Sequence, residues 1–203
     1  TGWAKLNLNL PKGHYILTAI NPVTGEMRTN NVIIFTLIES SDLVKHYRND
    51  SQFVVRVRAA DGGWAKAGEN VTFNINGVFY TRTTNATGHA KLSINIEPGE
   101  YIITSYYKDC RESNTIKVLP RLITSDVVMK YRDGTPFTVK TLDEQGNIAP
   151  HQQVSFNING ILYNRTTTDQ GEAKINLNLL PGEYIITSEY GFEKEGNTIK
   201  IEA

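Results

Sequence analysis

Two stretches of this sequence occur twice over, and that repetition limits the possible folds more than any other feature. Phe-Asn-Ile-Asn-Gly stands at Phe73–Gly77 and again at Phe156–Gly160, and Pro-Gly-Glu-Tyr-Ile-Ile-Thr-Ser at Pro98–Ser105 and Pro181–Ser188. A looser third version of the second block, Gly-His-Tyr-Ile-Leu-Thr, occupies Gly13–Thr18. The period is 83 residues (156 − 73 and 181 − 98). Solenoid units are shorter, about 20–50 residues. A small β-sandwich of roughly 100 residues fits the spacing. The chain therefore reads as successive similar domains, an arrangement suited to spanning, displaying or binding rather than to catalysis.

The middle copy shows what each domain is. Phe53, Val55 and Val57 alternate with polar residues, as do Val71, Phe73 and Ile75, then Ala90, Leu92, Ile94 and Ile96. Alternation with period 2 marks half-buried strands. Asn76-Gly77 is a strong hairpin signal because both residues tolerate positive φ. Further turns are read at Asp61–Gly63, Asn85–Gly88 and Pro98-Gly99. With Leu43–Tyr47 counted as a weak first strand, about seven strands are expected and no helix. The third copy repeats the pattern, with a hairpin turn at Asn159-Gly160. The expected fold is all-β, a tandem of Ig-like antiparallel sandwiches. Tyr15, Tyr101 and Tyr184 each follow a turn glycine at a strand start, where a tyrosine corner occurs in such sandwiches.

The first copy is only a back half. Gly2-Trp3-Ala4-Lys5-Leu6 matches Gly88-His89-Ala90-Lys91-Leu92, and Asn31-Val32-Ile33 matches Asn114-Thr115-Ile116. Three domains follow: residues 1–36 as the last three strands of a repeat, 37–120 and 121–203 as complete ones. The half repeat is expected to be a piece of a longer array, or else to be completed by strands of another molecule. The first is favoured, since no spare front half is left at the other end.

Composition narrows the function. Lys+Arg and Asp+Glu are 21 each, so no net charge steers the chain to nucleic acid or an anionic membrane. No apolar run approaches the roughly 20 residues of a membrane span. No charged-then-apolar signal segment is visible at the N-terminus. The one cysteine, Cys110, cannot bridge internally and reads as part of a surface loop with Lys108, Asp109 and Arg111.

Four linked motifs carry a resemblance. They are Lys45-x-Tyr47-Arg48 leading to Phe53-x-Val55, then Val71–Asn85, then Gly88–Ile96, then Pro98–Thr104, with the third copy carrying them at Tyr131-Arg132, Val154–Thr168, Gly171–Leu179 and Pro181–Thr187. Met129 replaces Lys45 there. The set resembles the Ig-like repeats of adhesin-like surface proteins from methanogenic archaea. The resemblance implies a bacterial-type Ig-like fold in long proteins that project from the cell and mediate attachment, with no catalytic residues to carry over.

A search for chemistry finds little. His14, His46, His89 and His151 lack metal-ligand spacing. The acidic turns Asp143–Asn147 and Asp169–Glu172 lack the spaced carboxylates of a calcium loop. Lys5, Lys91 and Lys174 have outward parity, which disfavours an internal lysine crosslink. No nucleophile motif or phosphate loop is present. No catalytic, cofactor or metal site is expected. Glycan attachment is the more plausible chemistry, at the N-x-[ST] acceptors Asn49, Asn70, Asn85 and Asn164, all read beside turns or on outer faces.

The expected function is a non-enzymatic, extracellular, semi-rigid stalk segment of an adhesin or surface fibre, stiffened by short linkers such as Leu119-Pro120-Arg121. Its partners are neighbouring repeats or identical chains, with surface glycans or another cell as further candidates. Two alternatives are a self-assembling filament subunit and a carbohydrate-binding module using Phe79, Tyr106 or Phe192.

Overall fold

The computed structural model describes residues 2–203, which form strands, turns and loops without a helix. Eighteen strands run in order: β1 (Gly13–Ile20), β2 (Met27–Ile34), β3 (Ile38–Ser40), β4 (Leu43–His46), β5 (Gln52–Val57), β6 (Asn70–Ile75), β7 (Val78–Thr83), β8 (His89–Ser93), β9 (Gly99–Tyr107), β10 (Cys110–Leu119), β11 (Leu122–Ile123), β12 (Val127–Lys130), β13 (Pro136–Thr141), β14 (Gln153–Ile158), β15 (Ile161–Thr166), β16 (Glu172–Asn176), β17 (Gly182–Tyr190) and β18 (Glu193–Glu202). Two compact units share them. One comprises Thr1–Ser41, Gln52–Leu92 and Ile102–Thr115, the other Asp42–Ser51, Ser93–Tyr101 and Ile116–Ala203.

The last repeat lies wholly in the second unit. Its sheets have the orders β11-β13-β16 and β12-β18-β17-β14-β15. Alternation puts Phe137 and Val139 of one sheet, and Val154, Phe156, Ile186 and Ile199 of the other, at 0–1% exposure. Phe137 and Phe156 meet edge to face, 6.0 Å between centroids at 86°. Burying each such side chain contributes about 1.5–3 kcal/mol, and the edge-to-face ring geometry adds to that. The middle repeat has matching orders, β3-β5-β8 and β4-β10-β9-β6-β7, and a matching ring pair, Phe53 and Phe73, at 6.0 Å and 85°. The chain is a tandem of Ig-like β-sandwiches.

The Asn-Gly turns form as read, with φ of 51° and 77° at Asn76-Gly77 and 53° and 80° at Asn159-Gly160. Four features depart from the sequence reading. Each complete repeat has eight strands rather than about seven, because the short linker strands β3 and β11 pair with β5 and β13. The sandwiches are not purely antiparallel: β4 runs parallel to β10 and β12 parallel to β18. Cys110 is the half-buried first residue of a strand, directly after the two-residue turn Lys108-Asp109, rather than a loop residue.

The fourth departure concerns residues 2–36. Only β1 and β2 form, as a two-stranded sheet; the third strand, expected from the match of Gly2–Leu6 to Gly88–Leu92, is not made. The matching strand of the middle repeat, β8, sits beside β5, and no equivalent of β5 precedes β1 among the described residues. The register also corrects the repeat alignment by one residue. Tyr15 pairs with Val32, as Tyr184 pairs with Ile199, so Val32 and not Ile33 takes the inward place. A slip of one residue reverses the faces of a strand, and Ile33 is accordingly exposed while Val32 and Ile34 are half-buried.

Candidate functional site

A connected set of polar contacts surrounds the linker Leu119-Pro120-Arg121, within the second unit. Glu193, the first residue of β18, is 2% exposed at its side chain. Its carboxylate accepts from the Arg121 main-chain N–H at 2.8 Å, the Leu122 N–H at 3.2 Å and Arg121 Nε at 3.1 Å. The Arg121 guanidinium also faces Glu144 at 3.8 Å and lies 5.3 Å from the Tyr190 ring centroid and 6.0 Å from that of Tyr47. Residues 46–49 complete the cluster. Tyr47 N–H donates to Leu119 O at 2.9 Å, Asn49 Nδ2 donates to Glu144 O at 2.9 Å, and Arg48 stacks 4.3 Å over Phe192. The His46 ring fills the space that a Cβ on Gly146 would need, and Gly146 has a φ of +84° that itself favours glycine. A charged pair with its hydrogen bonds satisfied fixes one geometry, whereas an exposed pair contributes little.

A different device stands beside β3 in the first unit. Arg56 of β5 and Arg58, the residue just after that strand, stack on Trp64, their guanidinium carbons 3.4 Å and 3.9 Å from its centroid. Arg58 also lies 5.3 Å from the Phe35 ring and pairs with Glu39. The sequence signal was available, since arginines two apart on a strand share a face. The tryptophan, however, reaches them through the isolated bridge Arg58–Trp64, which periodicity does not reveal.

Lys45 was also missed. It points inward at 5% exposure, and its ammonium donates to Ile94 O at 2.7 Å and Ser51 O at 3.2 Å. Burial holds its pKa below the usual lysine value, partly offset by Asp50 and Glu144. Lys91 is exposed between buried Ala90 and Leu92, Lys5 lies in a stretch, residues 2–10, that forms no strand and is exposed throughout, and Lys174 pairs with Glu172 at 3.2 Å.

The remaining sequence candidates are placed as follows. The hydroxyls of Tyr15, Tyr101 and Tyr184 donate to the carbonyls of Pro11, Glu97 and Leu180 at 2.9, 2.8 and 2.9 Å, each four residues upstream. Asn70, Asn85 and Asn164 are exposed. The Asn85 side-chain oxygen accepts from Thr87 N and His89 N, and that of Asn164 from Ser155 Oγ. Asn49 is half-buried and its amide is engaged with Glu144. Phe79 and Tyr106 approach to 6.4 Å on the outer face of their sheet, while Phe192 lies beneath Arg48. The histidines are dispersed: His151 faces Asp169 at 3.0 Å and His89 contacts Thr87. Among the described residues no group of three or more His, Cys, Asp or Glu is placed to hold a metal ion.

No protein-family model matches the sequence, and no curated protein matches it. Among solved structures it is similar to the I9–I11 tandem of titin at 14% identity and a TM-score of 0.40, covering 97% of this chain and 85% of that one. It is similar to invasin, a bacterial integrin-binding protein, at 17% identity and a TM-score of 0.36, covering 81% and 38%. The adhesin InvE of Yersinia pseudotuberculosis gives 13% and 0.31, covering 82% and 58%.

Proposed function

We propose that the chain is a non-enzymatic, extracellular stalk segment of a cell-surface adhesin or fibre. The observation that carries this reading is the linker: consecutive sandwiches of one sequence type are joined by a few residues whose backbone is held by a buried carboxylate and packed arginines. A linker whose own backbone is held in this way is stiffer than a flexible tether, as a spacer requires. The resemblance to adhesin-like repeats of methanogenic archaea supports the same role. In that setting weak contacts along many repeats gain strength through multivalency. Asn70, Asn85 and Asn164 are the glycan acceptors that exposure supports; Asn49 would first have to release Glu144. Antibodies against residues 37–203 should label intact cells of the source organism. Labelling only after lysis rejects the surface role, and an unmodified mass for the natively produced protein rejects the glycans.

One observation favours a second reading. Phe79 is 64% and Tyr106 36% exposed, their rings 6.4 Å apart on one sheet, where Asn74 pairs with Phe79 on one side and Thr104 on the other. Exposed aromatic faces on a polar sheet can stack against sugar rings. Saturable glycan binding abolished by Phe79→Ala would make the middle repeat a carbohydrate-binding module, and its absence leaves the stalk role alone.

A further inference from the structure

The β1–β2 hairpin carries two open edges and a half-covered apolar face, and the two complete repeats show what fits them. In the last repeat the β17 edge takes β14 in antiparallel register, Ile186 against Ile158 and Ser188 against Phe156. The β18 edge takes β12 in parallel register, Ile199 against Val127 and Ile201 against Met129. Ile186, Ser188, Ile199 and Ile201 are buried there, at 0–4% exposure. Their counterparts are Leu17, Ala19, Val32 and Ile34, aligned through the shared Tyr15–Val32 and Tyr184–Ile199 pairings. Leu17, Val32 and Ile34 are half-buried and Ala19 is exposed. Unpaired edges beside an apolar face form a template for strand addition.

A second observation tells how the missing strands connect. Gly88 and Gly171 link front half to back half with φ of +78° and +70°. A Cβ at Gly88 would stand 2.9 Å from Val57 O and 3.2 Å from Ala65 O, and one at Gly171 would stand 2.9 Å from Thr141 O. The glycine is demanded by the front half itself. Gly2 holds this place in the first copy, in Thr-Gly-Trp-Ala-Lys-Leu against Thr-Gly-His-Ala-Lys-Leu at Thr87–Leu92, although no atom lies within 4 Å of a Cβ built there.

We propose that residues 2–34 are a docking face for the front half of an Ig-like repeat of the kind residues 37–86 form, joined covalently through the Gly2 turn. The front half pairs its β6-type strand with β1, setting its Phe73 position against Ala19 and its Ile75 position against Leu17. It pairs its β4-type strand with β2, setting its Leu43 position against Val32. Its β5-type strand pairs with residues 3–7, which stand in the place of β8 when Gly2 is set on Gly88. This inference does not rest on the surface role, because it follows from repeat geometry alone.

The test is a full chain with a second copy of residues 37–86 fused directly before Thr1, compared with the chain itself by amide hydrogen exchange. Residues 37–203 serve as the internal standard of folding. Amides of residues 3–7, β1 and β2 are expected to slow at least 100-fold in the fusion, to the level of β8–β10, with the protein remaining monomeric. Gly2→Val should erase that protection in the fusion and leave exchange in the unfused chain unchanged. Unaltered exchange in the fusion, protection that appears only in an oligomer, or protection that survives Gly2→Val would each overturn the proposal.

Discussion

Glu193 and Arg121 are joined twice, through the Arg121 main-chain N–H at 2.8 Å and its guanidinium Nε at 3.1 Å. A side chain from the last hairpin thus fixes the backbone of the linker before it. Cys110 begins the same strand in the middle repeat, where Leu37 and Ile38 stand in place of Arg121 and Leu122. The acid and the arginine are present together at one junction and missing together at the other. The first junction has instead the Phe35–Arg58–Trp64–Arg56 stack. The two junctions are therefore fixed by different chemistry within one repeat family.

Glu193→Ala should be among the costliest single changes in the last repeat. It leaves the Arg121 guanidinium with the distant, exposed Glu144 as its remaining acid and strips an acceptor from two main-chain N–H groups. Breaking a buried pair from one side costs about 3–5 kcal/mol. Glu193→Gln keeps an acceptor and should cost less, about 1–2 kcal/mol. Urea denaturation measures both, and a loss under 1 kcal/mol for the alanine variant would show that the clamp contributes nothing to the fold.

Lys45→Met should be neutral or stabilising near pH 7, because the last repeat already places Met129 there and the volumes are similar. The change removes a buried ammonium whose pKa burial has lowered. Between the folded value and the ordinary 10.5, the unfolded chain binds more protons than the folded one, so stability rises with pH. That gain is complete above 10.5 and lost as pH falls through the folded value. The wild-type minus Lys45→Met stability difference should therefore climb as pH is raised toward 10.5. A difference independent of pH would show that Lys45 titrates alike in both states.

Much of this fold is legible in the sequence, for identifiable reasons. Phe53, Val55, Val57 and Val71, Phe73, Ile75 alternate because one face of each strand meets the core, and alternation survives any arrangement of the strands. The Asn-Gly turns are local, so Asn76 and Asn159 announce themselves. What escaped is non-local. The parallel pairing of β4 with β10 joins residues over 70 apart in sequence, and nothing near Leu43 records it. Lys45 was passed over because an inward lysine is recognised only from the carbonyls of Ser51 and Ile94 that receive it. The Val32 register was misplaced by one because Val32, Ile33 and Ile34 are all apolar, so the pattern alone does not choose a face.

Acid should weaken the last repeat partly through two turn aspartates. Asp133 is held below the usual carboxylate range by main-chain donors, first Thr135 and then Lys130. Asp143 is held down by the Asn147 side chain first and then by the N–H groups of Asn147 and Gln145. A lowered folded pKa contributes stability that is present above the unfolded value of 3.8 and lost as pH falls through the folded one. The stability gap between wild type and Asp143→Asn should accordingly narrow from pH 5 to pH 2. A constant gap across that range would rule out titration of Asp143 as a source of acid sensitivity.

Ser105→Ala and Ser188→Ala should each stabilise the protein. Both side chains are fully buried, and neither hydroxyl has a hydrogen-bond partner. A buried hydroxyl without a partner costs about 1–3 kcal/mol, and the void left by removing one oxygen returns a fraction of that. A net gain of about 1 kcal/mol per site is expected. The first repeat already carries the change, since Ala19 occupies the equivalent position on β1. The two serines lie in different compact units and share no partner, so their effects should add in the double variant. Chemical denaturation with both single variants and the double variant gives the answer. A loss of stability at either site would mean that the hydroxyl is satisfied by a buried water, which needs two or more polar neighbours to be held.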